Sequence, residues 1–112
     1  MIDHTQLDTL TQLLGKDTIN QIRLEYVEDS AQKMTQLLQA WDDRNYEELK
    51  QTSHSLKSAS LNIGVPIFAQ QCQQIEKAAL QHSEQGIQAI IDTLPALHAT
   101  SLKELEKYFL SN

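Results

Sequence analysis

Apolar residues recur at every third or fourth position through each long stretch of this chain, and nowhere do they alternate over a sustained run. That period belongs to helices that bury one stripe each. Only three glycines and two prolines stand among the 112 residues, too few turn-formers for an all-β fold. A chain of this length builds one core, so residues 1–112 are expected to form a single domain. It leaves no room for a doubly wound nucleotide domain together with anything else, and hence for an ATP-using enzyme of the usual size.

Leu7, Leu10, Leu13 and Leu14 mark a short first helix that Gly15 stops. Asp17 is placed to cap a second helix striped by Ile19, Ile22, Tyr26, Val27, Met34, Leu37, Leu38 and Trp41. After a polar connection over Asp42 to Asn45, Asn45 and Glu48 have the spacing of a capping box. The third helix then buries Tyr46, Leu49, Ser53, Leu56, Ser60 and Ile63, a narrow seam with small residues in it. Gly64 ends this helix and Pro66 begins a fourth, which buries Phe68, Cys72, Ile75 and Ala79. The chain turns again around Ser83 to Gly86. The remaining stripe runs from Ile87 through Ile90, Ile91, Leu94, Leu97, Ser101, Leu102, Leu105 and Tyr108 to Phe109, in phase across Pro95, which reads as one kinked helix. Short connections make neighbours antiparallel. The expected fold is all-α, an antiparallel up-down four-helix bundle with a short additional N-terminal helix across one end.

The formal net charge of −6 opposes non-specific nucleic-acid binding, which depends on neutralising phosphates. The lone Cys72 cannot make an internal disulfide, and on an apolar stripe it reads as a buried, inert thiol. No run of about 20 apolar residues spans a bilayer and the start has no signal-peptide pattern, so a cytoplasmic protein without membrane contact is expected. No two histidines sit four apart, and no Glu-x-x-His occurs, which removes the common zinc and di-iron patterns. His4 falls at the N-terminus, His82 at a helix end and His98 at the boundary of the last stripe; each reads as structural.

His54 points elsewhere. At about 100° per residue it projects about 130° from the centre of the third helix's seam, into solvent. Lys50 and Lys57, one turn before and one turn after, share its flank with Leu61. A solvated surface histidine accounts for that much. So does a nucleophile: neutral imidazole attacks an activated phosphoryl group, and two ammonium groups offset the charge it acquires.

The run His54-Ser55-Leu56-Lys57-Ser58-Ala59-Ser60, followed by Gly64, Phe68, Cys72, Ile75 and Glu76, resembles the histidine-containing phosphotransfer (HPt) domain, whose pattern is H-x-L-K-G-S-S, a glycine four residues on, an apolar residue, then C-x-x-L-E. The spacing matches without a gap over His54 to Glu76. The resemblance implies that His54 accepts and donates a phosphoryl group through Nε2, that Lys57 offsets its charge, and that Glu76 orients the imidazole through Nδ1. Lys50 would add electrostatic support. Ser58 departs from the usual glycine, a variant shared with some stand-alone quorum-sensing phosphotransferases, and implies slower or more selective transfer. With Leu61 it would belong to the docking surface. The implied partners are response-regulator receiver domains, including that of a hybrid sensor histidine kinase. The implied cofactor requirement is none in this chain, with Mg²⁺ on the receiver, and the implied state is a monomer. Two other readings compete. A histidine-kinase dimerisation-type domain would dimerise, and usually carries an acidic residue and a proline close after its histidine; here Ser55 follows and Pro66 is in the next helix. A non-catalytic helical adaptor would be indifferent to the loss of His54.

Overall fold

The computed structural model describes residues 1–110. It holds six helices in chain order: α1 (His4–Leu14), α2 (Lys16–Asp42), α3 (Tyr46–Asn62), α4 (Pro66–Leu80), α5 (Glu84–Ile91) and α6 (Leu94–Leu110). Helix α2 packs on α3, α3 on α4, α4 on α6, and α6 back on α2, so the four long helices close a bundle as expected. Helix α1 crosses the end where α3 turns into α4: Asp3 N–H donates to the Gly64 carbonyl at 2.8 Å, and Leu7 is fully buried against Gly64.

Three of the connections share one geometry. After α2, α3 and α4 the chain ends its helix with paired backbone bonds, such as Asn45 N–H to Ala40 C=O (2.8 Å) beside Arg44 N–H to Trp41 C=O (3.0 Å). Val65 to Ser60 with Gly64 to Leu61, and Ser83 to Ala78 with His82 to Ala79, repeat it. This Schellman arrangement needs one left-handed residue. Gly64 fills that position at φ 82°, but Arg44 (φ 53°) and His82 (φ 52°) fill it as ordinary L-residues. Each has side-chain compensation. Arg44 lies over the Trp41 ring and pairs with Glu84 at 2.7 Å, and His82 stacks on Tyr46 with centroids 4.1 Å apart.

The predicted seam of α3 holds from Leu49 onward: Leu49, Ser53, Leu56, Ser60 and Ile63 are buried, as are Phe68, Cys72, Ile75 and Ala79 on α4, while Tyr46 at the start of the seam is half-buried. Five expectations need correction. Of the first helix's leucines only Leu7 is buried, Leu10 is half-buried against the core, and Leu13 and Leu14, at the helix's C-terminal end, face solvent. The cap of α2 is Gly15, not Asp17, which lies inside the first turn. Asn45 accepts from Glu48 N–H at 3.1 Å, but Glu48 turns to Thr52 instead of closing the box. The last stripe is two helices. Asp92 and Thr93 form a turn between α5 and α6, and Pro95 sits in the first turn of α6, where its missing N–H costs nothing. The preceding turn lies earlier than expected, with Ser83 capping α5 and Gly86 already helical.

Candidate functional site

Burying Leu49, Ser53, Leu56 and Ser60 obliges the opposite face of α3 to meet water. His54, Ser58 and Leu61 are exposed there, and Lys50 and Lys57 are half-buried at its margin. The His54 imidazole keeps 58% of its side-chain surface. Helix α4 runs antiparallel alongside, and because its inner face is taken by Cys72, Ile75 and Ala79, Glu76 emerges on the flank that faces α3. Its carboxylate bridges two groups. Oε2 accepts from His54 Nδ1 at 2.9 Å and Oε1 accepts from Lys57 Nζ at 2.9 Å.

The chemistry of the bridge is directional. A carboxylate only accepts, so the proton of the first bond sits on Nδ1, and a neutral ring then carries its lone pair on Nε2, the nitrogen away from Glu76. Partial burial, the largest single influence on Glu76, pushes its pKa up. The hydrogen bonds and charges of Lys57 and His54 together outweigh it and hold the carboxyl below its ordinary value. The acceptor is therefore ionised at neutral pH.

The structure brings together His54, Lys57 and Glu76. It places Ser58 and Leu61 on the same exposed flank but gives neither a bond to the imidazole. Lys50 differs from the sequence picture of a bare ammonium beside His54: its Nζ pairs with Glu47 at 3.1 Å, and Gln51 Nε2 donates to the same carboxylate at 2.9 Å. Glu47 is the residue that sequence reasoning missed. Its spacing of three from Lys50 and seven from His54 was the available signal. Glu47, Lys50, Gln51, His54 and Glu76 line one open cleft.

The other reactive side chains are structural. Cys72 is fully buried and burial pushes its thiol up to about 12. His98 is not a boundary residue: it is buried, its Nε2 bonds Ser30 Oγ at 2.8 Å, and its ring lies against Phe68. It fills a place in the stripe that its polarity hid. Among the described residues no three His, Cys, Asp or Glu side chains cluster as a metal site, and no helix is long and apolar enough to cross a membrane.

Fold and site together define a helical bundle whose chemically distinctive group is one solvent-facing imidazole, with its tautomer set from the neighbouring helix. The family model of the Hpt domain matches residues 21–100, a span that contains every residue of the site. The chain belongs to the Hpt domain family, and a histidine phosphotransfer role in a phosphorelay, exchanging with receiver domains of two-component systems, goes with that membership. Among solved structures it is similar to histidine-containing phosphotransfer protein B (HptB) from Pseudomonas aeruginosa PAO1, with a TM-score of 0.89 at 22% identity over 99% of this chain and 96% of that one. At that identity the likeness is one of fold. A search of curated protein sequences finds no significant match.

Proposed function

We propose that His54 carries the phosphoryl group, taking it from a receiver-domain phospho-aspartate and passing it to the aspartate of a second receiver. The observation that supports this most is the 2.9 Å bond from Nδ1 to Glu76 on an imidazole that keeps more than half of its surface exposed. The Nε2 lone pair forms the N–P bond in line with the breaking P–O bond, and the electron pair leaves with the aspartate carboxylate. Nδ1 keeps its proton. The ring becomes a phosphoimidazolium, and the Glu76 carboxylate faces the positive charge that develops on it. In the return step an aspartate carboxylate attacks phosphorus and neutral imidazole leaves. No proton moves in either direction, so no general base is needed. Lys57, held on the same carboxylate as the ring, adds a fixed positive charge near the phosphoryl group.

On this reading the chain is a carrier and not a kinase, and the Mg²⁺ used in transfer belongs to the receiver. Ser58 and Leu61 lie on the surface a receiver covers, in a small transient contact. One receiver is that of a hybrid sensor histidine kinase, and the carrier acts as a cytoplasmic monomer. The test is phosphoryl transfer from a panel of radiolabelled receivers to wild type and to His54→Gln. Label on wild type alone, lost in acid and kept in alkali, is the expected result. Equal labelling of the variant, or no labelling of wild type, overturns the assignment.

A further inference from the structure

The face of α3 that carries His54 carries an ion pair one and two turns before it. Glu47, Lys50, Gln51 and His54 stand at i, i+3, i+4 and i+7, which puts them on one face of the helix. With Glu76 they line an open cleft of about 450 Å³ beside the imidazole. Lys57 lies toward the other end of α3, and its ammonium is already engaged with Glu76. Drawing Lys57 toward a phosphoryl group would strip Glu76 of a partner that keeps its carboxyl ionised.

Lys50 is held less tightly. Its partner among the described residues, Glu47, is an exposed carboxylate on the same helix, and that carboxylate keeps a second donor in Gln51 at 2.9 Å. Departure of Lys50 therefore leaves Glu47 solvated and still hydrogen-bonded. A phosphoryl group carries about two negative charges against the one of a carboxylate, and a lysine stem is flexible enough to turn from one to the other within a helical turn.

We propose that phosphorylation of His54 draws Lys50 away from Glu47, making Lys50 the mobile counter-cation of the phosphohistidine and Glu47 the residue that limits how firmly the phosphoryl group is held. This deepens the preceding reading and rests on His54 being the carrier. Glu47 is a positioning residue: it acts on the phosphoryl group through Lys50. Competition from its carboxylate keeps the phosphorylated state from becoming too stable to pass its group onward.

The experiment measures the equilibrium of phosphoryl exchange between a phosphorylated receiver and the full chain, for wild type, Glu47→Gln, Lys50→Met and the double variant. The methionine keeps the aliphatic stem and removes the charge. Glu47→Gln is expected to shift the equilibrium toward the phosphorylated carrier by about two- to fivefold, and Lys50→Met to shift it the other way by a similar factor, the range for one exposed charge pair. In the Lys50→Met background, Glu47→Gln is expected to change little. Raising the salt concentration is expected to shrink the single-variant effects, which a packing role would not do. The phosphoryl ³¹P titration is expected to move to higher pH in Lys50→Met. Single variants that match wild type, or a Glu47→Gln effect that persists undiminished without Lys50, overturn the proposal while leaving His54 as the carrier. Labelling of His54→Gln in the same series would overturn the carrier assignment itself.

Discussion

Replacing Glu76 tests the proposed chemistry of the site without touching Nε2 of His54, the nitrogen proposed to react. Glu76→Gln keeps an oxygen that can accept from Nδ1–H but removes the charge that faces the ring. A hydrogen bond to a charged group contributes about 1.5–3 kcal/mol and a neutral one about 0.5–1.5. The difference, about 1 kcal/mol, corresponds to about a fivefold slower attack if it is realised fully as the ring becomes cationic. Glu76→Ala removes the acceptor as well. The whole bond is then lost, and because the imidazole is more than half exposed the low end applies, about 1.5 kcal/mol or tenfold. The assay is single-turnover transfer from a phosphorylated receiver, followed by rapid quench, with the ¹⁵N shifts of His54 recorded on the unphosphorylated protein. Wild type is expected to show the proton on Nδ1, and Glu76→Ala a mixture of tautomers. Transfer by Glu76→Ala at the wild-type rate, or an Nδ1–H tautomer that persists without the carboxylate, would refute the reasoning.

Two further predictions concern the scaffold. Burial holds the His98 pKa below its ordinary value, so the unfolded chain takes up a proton near its ordinary pKa that the native state refuses. Stability is present above that pH and is lost as pH falls through about 6.5, at about 1.4 kcal/mol per pH unit until the native ring also protonates; urea unfolding at pH 7.5 and 5.5 is expected to show a smaller pH dependence for His98→Gln than for wild type, and an equal dependence would count against it. Gly64→Ala places a Cβ 3.3 Å from Leu7 Cγ at a φ of 82°, and the left-handed backbone alone costs about 1–2 kcal/mol, so a clear drop in thermal midpoint is expected and an unchanged midpoint would refute it.

Most of the bundle was legible because stripe and cap coincide: Gly64 and Pro66 punctuate the turn between α3 and α4, and the structure turns there. The turns at Arg44 and His82 use the same backbone geometry without glycine, held in part by Glu84 and Tyr46 from other helices. A sequence pattern cannot register a stacking partner that lies at the far end of another helix. The break at Asp92 and Thr93 was hidden for a related reason. Ile91 and Leu94 are both buried, so the apolar phase runs unbroken across a turn that only the backbone reveals. His98 shows the converse, a polar residue accepted into the core because Ser30 on α2 satisfies it.

The site itself depends on what the seam leaves out. Helices α3 and α4 pack directly on each other, and Ser53 and Ser60 on α3 and Ala69 and Cys72 on α4 are all small and all nearly or wholly inaccessible. Small residues at a helix interface let the two backbones approach more closely than leucines would allow. A glutamate has only two methylene groups beyond its Cα, so its reach from one helix to a histidine on the next is set by that approach. Glu76 spans the gap to both His54 and Lys57 at 2.9 Å. Widening the seam, for instance by Ser53→Leu, would push α4 outward and would also cost stability through overpacking. A change in the buried core, such as Ser53→Leu, is therefore expected to reach the surface chemistry through the Glu76 carboxylate, lengthening the bond on which the tautomer of His54 depends.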